Sequence, residues 1–172
     1  MSRASIGQTF VLRDADGADF DRVAPIYGHH VRTGFGTFDE VAPDAARMRQ
    51  RFVEVTGLGL PYLVAAEGAA ILGYAYASPY RPRSAYRFTV EDSVYVAAEL
   101  EHRGIGTALL ETLATRCAAA GMRQLIAVIG DSGNDASIGL HVKCGFHHVG
   151  ILRGVGFKRG RSVDTVIMQR AL

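Results

Sequence analysis

The sequence predicts a mixed α/β fold in one domain over residues 1–172, a central sheet with helices on both faces. Three observations carry that expectation. Phe88–Ala97 is rich in Val, Thr and aromatic residues, the composition of a strand. Arg103–Ala120 has a helical stripe of Ile105, Ala108, Leu109, Leu113, Cys117 and Ala120, and Gly121 closes it. Leu125–Ile129 is a continuous apolar run, expected to be a central strand buried on both faces.

The other elements follow in chain order. Phe10–Arg13 is a short apolar stretch suited to starting the sheet. From Asp19, Phe20, Val23, Ile26, Tyr27 and Val31 fall on one helical face. Thr33–Thr37, with two glycines, reads as a loop. Pro43 and Asp44 open a second helix carrying Ala46, Met48 and Phe52, which Gly57–Pro61 ends. Strands are expected at Tyr62–Glu67 and Ile71–Ser78, with a turn at Gly68. Pro79–Ser84 is a loop, Asn134–Cys144 a short helix stopped at Gly145, and Phe146–Leu152 and Val163–Met168 are closing strands.

Composition excludes several classes. The 172 residues carry a net charge of +2, with 21% charged and 48% hydrophobic residues. That balance gives no basic stripe for nucleic acid or an anionic membrane. The N-terminus shows no signal-peptide pattern, and no apolar stretch is long enough to span a bilayer. Two cysteines, Cys117 and Cys144, make no disulfide framework, so a reducing cytoplasm is expected. Cys144, His147 and His148 are poorly disposed for a metal, because adjacent histidines diverge and Gly145 interrupts helical spacing.

The chemistry concentrates in Glu91–Thr107. Gly104 and Gly106 in E-H-R-G-I-G-T remove side chains where a strand hands over to a helix. The free N–H groups of that first turn and the helix dipole favour an anion such as a pyrophosphate, aided by His102 and Arg103. A dinucleotide fingerprint fits poorly, since Leu109 stands where the third glycine belongs. Glu91, Ser93 and Tyr95 share one face of their strand, and Val94 and Val96 the other, which is expected to be the core face. An acidic residue on a central strand is costly unless it is paired, here with Arg81 or Arg87, or functional. Asn134 suits a helix cap as well as a ligand contact. Arg81 and Arg83 suit either solvated surface or bidentate binding of a carboxylate or phosphinate. Phe35 and Phe38 suit either a pocket wall or the core.

The order strand, R-G-I-G-T, helix, central strand, N-D-A-S-I-G-L-H-V-K-C-G-F resembles the GNAT superfamily of N-acetyltransferases. Its signature Q/R-x-x-G-x-G/A stands here as Glu101 to Gly106, with the first position departing, so Glu101 offers an anion no donor. Its second block matches at Asn134, Leu140, Gly145 and Phe146, with His141 where many relatives carry a tyrosine. That histidine, T-V-E-D-S-V-Y-V, the Tyr80–Tyr86 segment and G-F-K-R-G-R (Gly156–Arg161) are similar to the phosphinothricin and methionine sulfoximine acetyltransferase branch.

The resemblance implies the GNAT fold with its sheet splayed at the cofactor, acetyl-CoA as donor, and direct transfer to the α-amino group of a small amino-acid-like acid. It implies Glu91 as catalytic base and His141 as a second catalytic group that orients or deprotonates the amine, or protonates the leaving thiolate. Val94, Tyr95, Val96, His102, Arg103, Gly104, Ile105, Gly106, Thr107 and Asn134 are the implied cofactor contacts. Phe35, Tyr80, Arg81, Pro82, Arg83, Glu91, Asp92 and Ser93 are the implied acceptor contacts. The branch's loop tryptophans are absent, with Tyr80 and Ser162 in their places, which points to a wider pocket. Homodimers are implied as well. The rival activities are N-terminal acetylation of peptides and acyl-CoA sensing without catalysis.

Overall fold

The computed structural model describes residues 10–100 and 102–172. Seven strands form one sheet in the order β1 (Val11–Asp14), β2 (Tyr62–Glu67), β3 (Ala70–Pro79), β4 (Thr89–Val96), β5 (Gln124–Gly130), β7 (Arg161–Ala171) and β6 (His147–Lys158). Helices α1 (Phe20–Thr33) and α2 (Ala45–Gly57) cover one face, with α1 packed on β3 and β4. On the other face α3 (Ile105–Ala119) packs on β2, β3 and β4, while α4 (Asp135–Lys143) packs on β5. Among the described residues no helix is long and apolar enough to cross a membrane.

Local chemistry sets the helix starts. The Asp44 carboxylate accepts from the Arg47 N–H at 2.8 Å and caps α2. Ahead of α1, Asp16 and Asp19 cap one another reciprocally, and Arg13 clamps the buried Asp19 carboxylate at 2.7 and 2.8 Å.

All neighbouring strands are antiparallel except β4 and β5. Those two pair only at Thr89–Gln124, Val90–Leu125 and Glu91–Ile126. Beyond Glu91, β4 stays on β3 as far as Val96, while β5 stays on β7 as far as Gly130. The sheet therefore opens into a wedge at the C-terminal ends of its two parallel strands. Helices α3 and α4 both begin at that mouth, the place where parallel sheets accept ligands.

Several expectations change. Both faces of β4 are packed, because Tyr95 stacks on Tyr74 with ring centroids 5.4 Å apart and meets Tyr27 edge-on at 5.0 Å. With Tyr62 and Tyr76 stacked at 4.8 Å, aromatic rings fill the α1/α2 side while aliphatic residues fill the α3 side. The stripe of α3 is broader than expected, with Leu110 and Ala114 buried, whereas Ala120 is exposed just past the helix end. Strand β5 is not buried throughout, since Val128 is 38% exposed beside the wedge where no strand covers it. The last two strands run longer than the apolar pattern showed, because the solvated β6 contributes exposed residues to the ladder.

Candidate active site

A cavity of about 1010 Å³ occupies the wedge. One end is made from main chain. Gly104 caps α3 at φ 80, a left-handed conformation that suits glycine, and no side chain caps the helix. The Ala108 N–H donates to the Gly104 carbonyl at 3.0 Å and opens the helix. Gly104, Ile105, Gly106 and Thr107, which precede Ala108, line the cavity with His102. The unpaired edge of β4 brings Val94, Tyr95 and Val96 to the same space. His30 donates Nε2–H to the Val96 carbonyl at 2.9 Å and steadies that edge. Asn134 accepts from the Ser137 N–H at 3.2 Å, so it caps α4, and it also lines the cavity. Arg103 lies outside this lining, with its Nη2 3.8 Å from the Glu67 carboxylate. Glu101 falls outside the described residues.

Glu91 stands at the apex of the wedge, where β4 leaves β5. Among the described residues no cation reaches ion-pair distance of it. Burial pushes its carboxyl up to about 7, the neighbouring Asp92 charge adds to the shift, and Arg81 opposes it. Such a carboxyl holds and releases a proton near neutrality, as a general base requires.

Asp92 points to the opposite face, only 7% exposed, with Oδ2 3.1 Å from His141 Nε2. His141 Nδ1 lies 2.7 Å from the Ser137 carbonyl, which only accepts, so Nδ1 carries a proton. A single further proton is then shared between Nε2 and the carboxylate. Burial lowers the imidazolium's affinity for its proton, but the hydrogen bond and charge of Asp92 outweigh that and raise it. Both ring nitrogens of His141 are engaged, and the ring is 2% exposed. This arrangement suits holding Asp92 better than accepting a substrate proton.

The other end is made from side chains. The Tyr27 hydroxyl donates to Asp39 at 2.6 Å and lies 2.7 Å from Thr37 Oγ1. Its phenol is pushed up to about 12, chiefly by burial. Arg51 reaches from α2 to the Tyr76 hydroxyl. The loop carrying Phe35 and Phe38 is tied down by the late G-F-K-R-G-R segment: Lys158 donates to the Thr37 carbonyl and Arg159 to the Thr33 carbonyl, both at 2.7 Å. Arg161 lies 4.0 Å over the Phe35 ring. At Gly156 a Cβ would sit 2.6 Å from the Phe38 ring, so only glycine lets the ring lie there.

Phe35, Glu91, Asp92 and Ser93 line the cavity, but Tyr80, Arg81, Pro82 and Arg83 do not. Those four lie in the exposed connection after β3, with the Arg81 guanidinium 5.0 Å over the Tyr80 ring. Tyr27, Thr37, Asp39, Arg51 and Tyr76 were not expected at the cavity. Tyr27 carried only a helical-face signal, and nothing in the sequence marks α2 or β3 as reaching it. Among the described residues no three His, Cys, Asp or Glu side chains group as a metal site.

Residues 26–146 match the family profile described as the acetyltransferase (GNAT) family. The chain belongs to the GNAT acetyltransferase family. It is 56% identical over 162 residues to the phosphinothricin N-acetyltransferase of Alcaligenes faecalis, covering 94% of this chain and 81% of that one. Identity is 39% over 159 residues with the L-methionine sulfoximine/L-methionine sulfone acetyltransferase of Pseudomonas aeruginosa, covering 92% of each. A crystal structure of a GNAT superfamily phosphinothricin acetyltransferase from Sinorhizobium meliloti in complex with acetyl-CoA superposes with a TM-score of 0.91. That relative is 48% identical, with 96% of this chain and 89% of that one covered. The expected GNAT fold, with its mixed and splayed sheet, is the fold observed.

Proposed function

We propose that this chain transfers an acetyl group from acetyl-CoA to the α-amino group of a small amino-acid-like acid, with phosphinothricin and the methionine sulfone or sulfoximine pair as the first acceptors to test. The observation that carries this reading is Glu91, a carboxyl raised to about 7 at the apex of a wedge whose one end is an uncapped helix start.

The fit to coenzyme A rests on that end. The Gly104–Thr107 turn, with its first-turn N–H groups and helix dipole, suits the pyrophosphate. The open edge at Val94, Tyr95 and Val96, with His102 and Asn134, suits the pantetheine arm. Arg103 lies outside the cavity lining beside Glu67, so the grip is assigned to backbone and Thr107. Acetyl-CoA supplies an activated acetyl thioester. Glu91 first takes a proton from the acceptor ammonium, directly or through a water, which frees the nitrogen lone pair. As the N–C bond then forms and the C–S bond breaks, the departing thiolate takes the second nitrogen proton and leaves as the coenzyme A thiol. His141, with both nitrogens engaged, holds the Asp92 charge next to Glu91. Asp92 and Ser93 flank the base, and Phe35 walls the acceptor. The exposed loop of Tyr80, Arg81, Pro82 and Arg83 acts from outside the cavity, through the Arg81 charge on Glu91.

The whole chain is proposed to act as one catalytic domain, in the reducing cytoplasm that two unpaired buried thiols suit. A homodimer is proposed from the edge strand β6, which leaves Val149, Val155 and Phe157 57%, 59% and 70% exposed. A single monomer peak on a sizing column would remove that proposal. The activity is tested by thiol release with acetyl-CoA against L-phosphinothricin, L-methionine sulfone, ordinary amino acids and short peptides. Turnover confined to peptides would overturn the acceptor class, and tight acetyl-CoA binding with no turnover of any amine would overturn catalysis.

A further inference from the structure

We infer that Arg51 is an oxyanion-binding residue of the acceptor site, which holds the carboxylate, or the phosphinate where there is one, of the amine being acetylated. This inference rests on the amino-acid acetyltransferase reading above and adds a residue to it.

Arg51 projects from α2 into the cavity that contains Glu91, and its side chain is 26% exposed. A guanidinium offers five N–H donors in a planar fork. Arg51 Nη1 donates to the Tyr76 hydroxyl at a long 3.4 Å. Its nearest carboxylate, Asp39, forms an ion pair with Nη2 at 3.8 Å, too long for a direct hydrogen bond, and accepts from the Tyr27 hydroxyl at 2.6 Å. The Tyr27 side chain also meets the guanidinium, by a hydrogen bond and with its ring centroid 5.5 Å from the guanidinium carbon. A fork filled only by tyrosine contacts and a long ion pair keeps N–H donors for a second anion. Arg13, by contrast, spends the same fork on two bonds of 2.7 and 2.8 Å to Asp19.

The placement also fits an amino acid. Tyr76, which the guanidinium touches, pairs in register with Ser93. Ser93 and Glu91 share one face of β4 two residues apart, about 7 Å along the strand. An α-amino acid laid on that face brings its amine to Glu91 and its carboxylate to Arg51. The fork then gains the two parallel N–H···O bonds that guanidinium makes with carboxylate or phosphinate. Arg81 and Arg83 lie outside the cavity lining, which leaves Arg51 as the guanidinium that lines it among the described residues.

The test compares wild type, Arg51→Met and Arg51→Lys by thiol release at saturating acetyl-CoA. The acceptors are L-methionine sulfone, its uncharged carboxamide, and L-phosphinothricin. Arg51→Met is expected to raise KM for the two acids at least tenfold, to move KM for the carboxamide less than twofold, and to leave kcat within about threefold. Arg51→Lys should recover part of the loss, because it restores the charge without the fork. A rise confined to phosphinothricin supports the same site with the phosphinate as its anion. Unchanged KM for both acids overturns the inference. So does an equal loss for the carboxamide, since that would mean Arg51 only braces the Tyr27–Asp39 loop. Failure of the activity reading is separate: wild type would turn over none of the three. Calorimetric binding of L-methionine sulfone then decides, with weaker binding by Arg51→Met supporting the site and equal binding, or none to either protein, overturning it.

Discussion

At one end of the cavity Val94, Gly104 and Gly106 offer little beyond main chain, and they come from a single stretch of sequence. At the other end Tyr27, Arg51 and Tyr76 reach in on long side chains from α1, α2 and β3. A backbone surface recognises whatever carries a phosphate and an extended amide arm. A side-chain surface distinguishes one small acid from another. The two ends therefore differ in what a substitution does: at the helix start it alters how the chain is drawn, and at the aromatic end it alters what the pocket accepts. Glu91 and the Asp92–His141 pair stand between them, on opposite faces of one strand.

The largest expected effect is on that shared middle. His141→Ala leaves a buried carboxylate without the partner now 3.1 Å away, and should destabilise the protein by roughly 3–5 kcal/mol in denaturant unfolding. Adding Asp92→Asn should return about half of that, because the stranded charge is gone. The sign with pH follows from the raised His141 pKa. The pair's contribution is full below the histidine's unfolded value of about 6.5 and fades as pH rises through its higher folded value. Equal losses in the single and double variants would show that the two residues do not act as a unit.

Gly104→Ala should have a smaller effect on stability, of about 1–2 kcal/mol, because alanine at φ 80 is strained although space is open there. Its functional effect should fall on the donor alone, with KM for acetyl-CoA up by about tenfold and KM for the acceptor unmoved. If the acceptor KM rises instead, the two ends are not separable.

This division also explains what the sequence made legible. The strand, the G-I-G turn and the Asn134 block are contiguous, and their chemistry depends on backbone placement that glycine and a helix start announce. The mixed sheet could be anticipated from that order, and its wedge from the family resemblance that the order carries. Arg51 could not, because one arginine on an amphipathic helix looks like solvated surface until the fold turns it toward Tyr76. Asp92 stands in the sequence as an implied acceptor contact, and only the packing of α4 brings His141 to it. Val128 reads as core because apolar runs do not record where a neighbouring strand departs. The exposed residues of β6 hid that strand's length for the converse reason, since hydrogen bonds rather than burial hold them in the ladder. Lys158 is buried because the Thr37 main-chain carbonyl accepts a hydrogen bond from its ammonium, which the G-F-K-R-G-R pattern does not record.

The claim that joins both ends is that Glu91 takes the proton, and the pH dependence of kcat/KM for the acceptor at saturating acetyl-CoA tests it most directly. The carboxylate is the working form and its protonation is centred at about 7, so the wild-type rate should rise with pH through that value. Glu91→Gln should lower the rate by about 10²–10⁴-fold and abolish that limb, leaving only the rise that comes from the acceptor amine's own deprotonation. A Glu91→Gln enzyme that kept wild-type turnover, or kept the limb near 7, would contradict the account.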